Sequence, residues 1–196
     1  IIITYGLLYA TVETLQENGK IFMQYNLQNF VANNKVSVYL TFIIALSRIS
    51  RVLANLFFNR IYLKLKEKFI ILLNSLIIVS VSLMILGYFT KQAFGIGIMA
   101  TGFCILLFTR DPIMIFTKTE LLEHCDIDQQ EEVMHKYNLS RKIIRFCFAT
   151  LVALLLSKIE ISAIMIFILI MSGVSLFLTF TMYKKLRCKN VCCDTD

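Results

Sequence analysis

FIILLNSLIIVSVSLMILGYF, residues 69 to 89, holds 21 consecutive positions without a charged side chain. A helix of that length, rising about 1.5 Å per residue, crosses the roughly 30 Å hydrocarbon core of a bilayer. ISAIMIFILIMSGVSLFLTFTMY, residues 161 to 183, has the same character. Both read as membrane spans. Working outward, four more apolar stretches are interrupted by polar residues: Ile1 to Phe30, Val36 to Asn59, Ala93 to Phe116, and about Asn138 to Ser157. Only Phe146 to Ser157 of the last is free of charge, so that span must borrow the turn holding Arg141 and Arg145. Six transmembrane helices is the most economical count, and the fold class is all-α, a polytopic membrane protein.

Composition points the same way. Hydrophobic residues make up 58% of the chain and charged residues 17%, with a single Pro and no Trp, against about 25% charged in ordinary soluble domains. A soluble core built from six such segments would leave too little polar surface. The basic residues then set orientation. Twelve of them (Arg60, Lys64, Lys66, Lys68, Lys118, Lys136, Arg141, Lys142, Lys184, Lys185, Arg187 and Lys189) flank the spans on one side, and three (Lys35, Lys91 and Lys158) on the other. This bias predicts a multi-pass protein of the cell membrane with both termini of this segment cytoplasmic. The net charge of +7 is explained by that orientation, and no basic-aromatic pattern points to a nucleic acid partner.

The six segments divide into two triplets, residues 1–92 and 93–183, followed by a cytoplasmic tail, 184–196. Each triplet runs from a helix with buried charge through one with basic residues to one wholly apolar. Two inverted three-helix repeats follow, an arrangement recurrent in secondary transporters, where the site lies near the midplane between repeats. Ile1-Ile2-Ile3 opens the chain with no charged leader and no small-residue cleavage site, which excludes a signal peptide and predicts further spans upstream. Between segments two and three the sequence predicts a short basic turn, Asn59 to Lys68. Between four and five, Thr117 to Lys136 predicts an amphipathic helix and loop, and the tail predicts disorder at its end.

The charges inside the apolar segments are the candidate chemistry, because an ionisable group at membrane depth costs several kcal/mol unless it faces a bundle interior or water. At about 100° per residue, Gln16, Glu17, Lys20, Gln24 and Gln28 all fall within about 60° of Glu13 on the first segment. Such a stripe suits a water-filled cavity, with Glu13 as a site whose proton comes and goes. The alternative is a Glu17 to Lys20 pair that only joins helices. In segment four, Arg110 and Asp111 are neighbours about 100° apart and must look to different helices. Pro112 follows directly and predicts a kink or an opening there. Arg110 offers a fork matched to carboxylate or phosphate. A structural network of Arg110 and Asp111 with Arg48, Arg51 or Arg145 is the competing role.

No nucleophile or metal constellation accompanies these residues, so neither catalysis nor a metal or cofactor is expected. Glu131-Glu132-Val133-Met134-His135 lacks the first histidine of a metalloprotease motif. His124, Cys125 and His135 fit no usual zinc spacing. Cys188, Cys192 and Cys193 lie on the reducing side, where disulfides are not expected, and Cys104 and Cys147 read as packing residues.

Three places give the chain a family likeness: the basic turn after segment two, Thr109-Arg110-Asp111-Pro112, and Tyr137-Asn138-Leu139-Ser140-Arg141-Lys142. On these it resembles, over essentially its whole length, the carboxy-terminal six-helix half of a major facilitator superfamily transporter. Of that family's loop motif, Gly-x-x-x-Asp-Arg-x-Gly-Arg, Arg60 matches, while Asn55, Asn59 and Tyr62 replace Gly, Asp and Gly. The resemblance implies alternating access around a cavity lined by the first helix of each triplet. It also implies an amino-terminal six-helix half as partner, a small-molecule substrate, and a coupling proton or cation carried on Glu13, Glu17 or Asp111. Secondary active transport is the expected function. The alternatives are an assembly or structural subunit whose buried charges dock a partner helix, and a membrane-embedded enzyme.

Overall fold

The computed structural model describes residues 2–65, 68–90, 93–123, 125–156 and 161–193, with the side chains beyond Tyr183 outside the described set. Six long helices account for nearly all of them: α1 (Ile2–Gln28), α2 (Asn33–Leu65), α3 (Phe69–Phe89), α4 (Ala93–Glu123), α5 (Gln130–Leu156) and α6 (Ile161–Cys193). No strand occurs among the described residues. Among the described residues, four stretches are long and apolar enough to cross a membrane: Asn34–Phe58, Phe69–Phe89, Phe94–Glu123 and Ala163–Thr181. Helices α1 and α5, at 27 residues each, have the length but carry too many polar side chains to share that property.

Three local expectations are corrected. The stretch Thr117 to Lys136 is not a separate amphipathic helix, because α4 continues to Glu123 and α5 begins at Gln130, with a single 3-10 turn at Ile127–Gln129 between them. The basic turn shrinks as α2 runs on to Leu65, and Lys66 lies outside the described residues, as do Lys91, His124 and Lys158. Pro112 does not open α4, which stays helical across it. The helix α6 extends to Cys193, so the tail is helical up to that point, and its last three residues lie outside the described set. Lys184, Lys185, Arg187, Lys189, Cys188, Cys192 and Cys193 also have side chains outside the described set.

The packing is crossed. Among contacts between the two triplets, α2 packs chiefly on α4 and α5 chiefly on α1, while α1 also meets α4 and α3 meets α6. The tightest contact is α3 on α4, and small residues explain it. A Cβ on Gly87 would sit 2.6 Å from the Gly95 carbonyl oxygen, and one on Gly102 would sit 2.7 Å from the Ser80 carbonyl oxygen. Helices this close exclude lipid and gain dispersion contacts, the main drive for association where no water is displaced. The Ser80 hydroxyl donates to the Gly102 carbonyl at 2.7 Å, and Asn74 Nδ2 donates to the Thr179 hydroxyl at 2.8 Å, joining α3 to α6.

At one end of the bundle, Tyr5, Phe58, Tyr62, Phe69 and Phe116 form a ring cluster with centroids 5.4 to 6.5 Å apart, mostly edge to face. It ties the starts of α1 and α3 to the ends of α2 and α4. The perimeter is apolar: Phe42, Leu56, Phe146 and Phe177 are all more than two-thirds exposed or nearly so. Exposed apolar surface on this scale is rare on soluble monomers and suits hydrocarbon.

Candidate functional site

The crossed packing brings basic residues of the second helix of each triplet to acidic residues on the first helix of the other. On one side, Asp111 of α4 is buried and its Oδ2 accepts from Arg51 Nε of α2 at 2.5 Å and from Asn55 Nδ2 at 3.3 Å. Arg51 and Asn55 are four positions apart, so one face of α2 presents both donors. On the other side, Arg145 of α5 pairs with Glu17 of α1, and its Nη1 lies 3.7 Å from Oε2 of the buried Glu13. That oxygen has no hydrogen-bond partner. Arg141, one turn before Arg145, stacks on the Tyr9 ring at 4.8 Å, a cation–π contact.

Between α1, α2 and α4 lies a cavity of about 590 Å³. Gln16 and Lys20 enter it from α1, Arg48, Arg51 and Asn55 from α2, and Asp111 from α4, against an apolar wall that includes Phe103 and Leu107. Its size falls in the range of small-molecule sites, and an apolar wall with a few convergent polar groups is their usual lining.

The polar stripe of α1 is therefore not one continuous face in use. Glu13 and Glu17 turn to α5, Gln16 and Lys20 turn to the cavity, and Gln24 and Gln28 line a second cavity of about 360 Å³ with Ser37 at the start of α2. Glu17 and Lys20 do not pair with each other; among the described residues Lys20 has no ion-pair or hydrogen-bond partner. Arg110 and Asp111 do look to different helices. Asp111 faces α2, whereas Arg110 lies near the Tyr9 hydroxyl of α1, its Nε buried and without a hydrogen bond, outside the polar lining of the cavity. Arg60 is exposed near the end of α2 and meets neither ion pair.

Two features went unread in the sequence. Asn55 acts as the second donor to Asp111. The other is a spacing: Glu17 and Asp111 are 94 positions apart, and Arg51 and Arg145 are separated by the same 94. The two inter-helix ion pairs thus share one spacing, a signal available from residue numbers alone.

Among the described residues no group of three His, Cys, Asp or Glu side chains could hold a metal ion. No family model, curated protein or solved structure matches this chain.

Proposed function

We propose that this chain is one six-helix half of a secondary transporter that carries a small solute across the cell membrane by alternating access. The observation that carries the reading is the pair of crossed salt bridges, Arg51 to Asp111 and Arg145 to Glu17, set 94 positions apart on both sides. A repeat of three spanning helices has an odd number of crossings, so its second copy is inverted. Inverted repeats give a protein two alternative, equivalent ways to rock about a central site.

In this reading α1 and α5 span as well, their polar residues turned to the bundle interior, and both ends of the segment face the cytoplasm. The solute pathway runs along α1 and α4, past Gln16, Lys20, Gln24 and Asp111. Glu13 supplies the coupling site: two carboxylates share one guanidinium, and a proton on Glu13 would balance the charge. A second six-helix bundle completes the pathway along the exposed sides of α2 and α5.

The test is flux in proteoliposomes made with the full-length protein. Glu13→Gln and Lys20→Gln are expected to insert normally and to lose uptake; wild-type flux in both would remove these residues from the pathway. A docking subunit is the competing reading. It predicts no flux from the wild type and loss of a bound partner when Glu17 and Lys20 are both made apolar.

A further inference from the structure

We infer that the cavity between α1, α2 and α4 is an anion site, taking a small water-borne solute that carries a carboxylate or phosphate group. The inference rests on the transport reading only for the solute's passage; the charge argument stands on the cavity itself.

Three cations, Lys20, Arg48 and Arg51, line this space, against one carboxylate, Asp111. Asp111 is already committed to Arg51 and Asn55. Among the described residues, neither Lys20 nor Arg48 has an ion-pair or hydrogen-bond partner. The cavity therefore carries two uncompensated positive charges.

Their depth makes this costly. Arg48 and Arg51 lie ten and seven residues inside the end of the apolar stretch Asn34–Phe58, about 15 and 10 Å along the helix at 1.5 Å per residue. Cations at membrane depth need a partner or a water-filled space, and a low-dielectric wall strengthens their pull on any anion that enters. Phe103 and Leu107 supply such a wall. The geometry of the donors also fits. Arg48 offers a planar fork that can hold both oxygens of a carboxylate or two of a phosphate, Lys20 adds a point charge from the opposite helix, and Gln16 can donate its amide hydrogens.

Asp111 has a definite part in this design. It holds Arg51 in place, and its one negative charge is outnumbered by the three basic residues, so the cavity as a whole repels cations. The site thus selects by charge sign first. Arg110 is the basic residue that sequence order would choose for an anion, yet it is not part of the cavity's polar lining.

The experiment measures binding and transport separately, with the full-length protein in detergent and in proteoliposomes. Succinate and inorganic phosphate are the probes, choline is the cationic control, and thermal stabilisation and calorimetry are the readouts. Succinate or phosphate is expected to stabilise the wild type, choline is not, and Lys20→Gln with Arg48→Gln should weaken anion binding at least tenfold while Lys64→Gln leaves it within twofold. Binding of choline as strong as that of either anion would overturn the inference. So would anion affinity unchanged in the double variant, or stabilisation by phosphatidylglycerol vesicles with no response to soluble anions. If the double variant does not insert, competition between succinate and choline on the wild type decides alone. Charge-dependent anion binding without flux would leave the site standing and remove the transport reading; flux of neutral or cationic solutes only would do the reverse.

Discussion

The two crossed ion pairs are set 94 positions apart on both sides, yet their charge balance is opposite. Where α2 meets α4, Arg51 and Asn55 both serve one carboxylate, and Lys20 and Arg48 stand nearby in excess. Where α5 meets α1, two carboxylates share Arg145, and one oxygen of Glu13 is buried without a donor. The spacing of the charges is the same on both sides while their sum differs. One side of the bundle carries an excess of positive charge, the other an excess of negative charge.

The strongest way to break that comparison is to remove the central acid on one side and the central base on the other. Asp111→Ala leaves Arg51 without its carboxylate and Asn55 without its acceptor, and because the Arg51 side chain is 42% exposed the loss is expected below that of fully buried pairs, at about 2 kcal/mol. Arg145→Ala removes the partner of an exposed Glu17 and a loosely paired Glu13, and should cost less. Chemical unfolding of the detergent-solubilised protein gives both values. An Arg145→Ala loss equal to or larger than that of Asp111→Ala would mean that the α1 and α5 side is the structural one.

Packing around the helical glycines differs as well. The α3 and α4 interface is closed by Gly87, Gly95 and Gly102, whereas Gly173 of α6 has nothing within 4 Å of an added Cβ. Gly87→Ala would place a methyl 2.6 Å from the Gly95 carbonyl oxygen and 2.7 Å from the Met99 amide nitrogen, both backbone atoms that cannot rotate away. The expected loss is about 1 to 3 kcal/mol, the usual cost of overpacking. Gly173→Ala should be neutral or stabilising by up to about 1 kcal/mol, since Ala is the better helix former. Equal effects of the two changes would show that α3 and α4 are not held by close approach.

Much of this was legible before the fold was known. An uncharged run such as Phe69 to Phe89 has one physical solution, and α3 begins and ends on those residues. The polar face of α1 was legible from its period, and so was the need of Arg110 and Asp111 for separate partners. What could not be read was which helix answers which charge. Glu17 meets Arg145 across 128 positions and Asp111 meets Arg51 across 60, and helical period gives the direction of a side chain without naming its neighbour. Arg48, Arg51 and Arg145 were all plausible partners for Asp111; only the crossed packing selects Arg51 and sends Arg145 to α1. The division of one stripe among α5 and two cavities has the same cause. The helices α2 and α4 run past their apolar stretches because the polar residues that follow, such as Lys64 and Glu120, favour helix as readily as loop.

Glu132 and Lys136 provide the surface reference against which both crossed pairs can be measured. They stand one turn apart at the exposed start of α5, 2.5 Å from Nζ to Oε1, with Glu on the amino-terminal side, the favoured order. The hydrogen bond and the charge of Lys136 lower the Glu132 pKa from its ordinary 4.5. A lowered folded-state value means that the pair contributes stability above the ordinary carboxylate range and loses it as the pH falls through the lowered value. Both groups are solvated, so the contribution is small and salt screens it. A titration followed by NMR at the Glu132 carboxylate should show a midpoint below 4.5 that returns to the ordinary value in Lys136→Gln and moves toward it in high salt. The Asp111 side chain is 8% exposed against 65% for Glu132, so ions screen its pair with Arg51 less, and the cost of Asp111→Ala should change less with salt than the surface pair does. A salt dependence as steep as that of the surface pair would place Asp111 in open water, and the contrast between the two sides of the bundle would then have to rest on Glu13 alone.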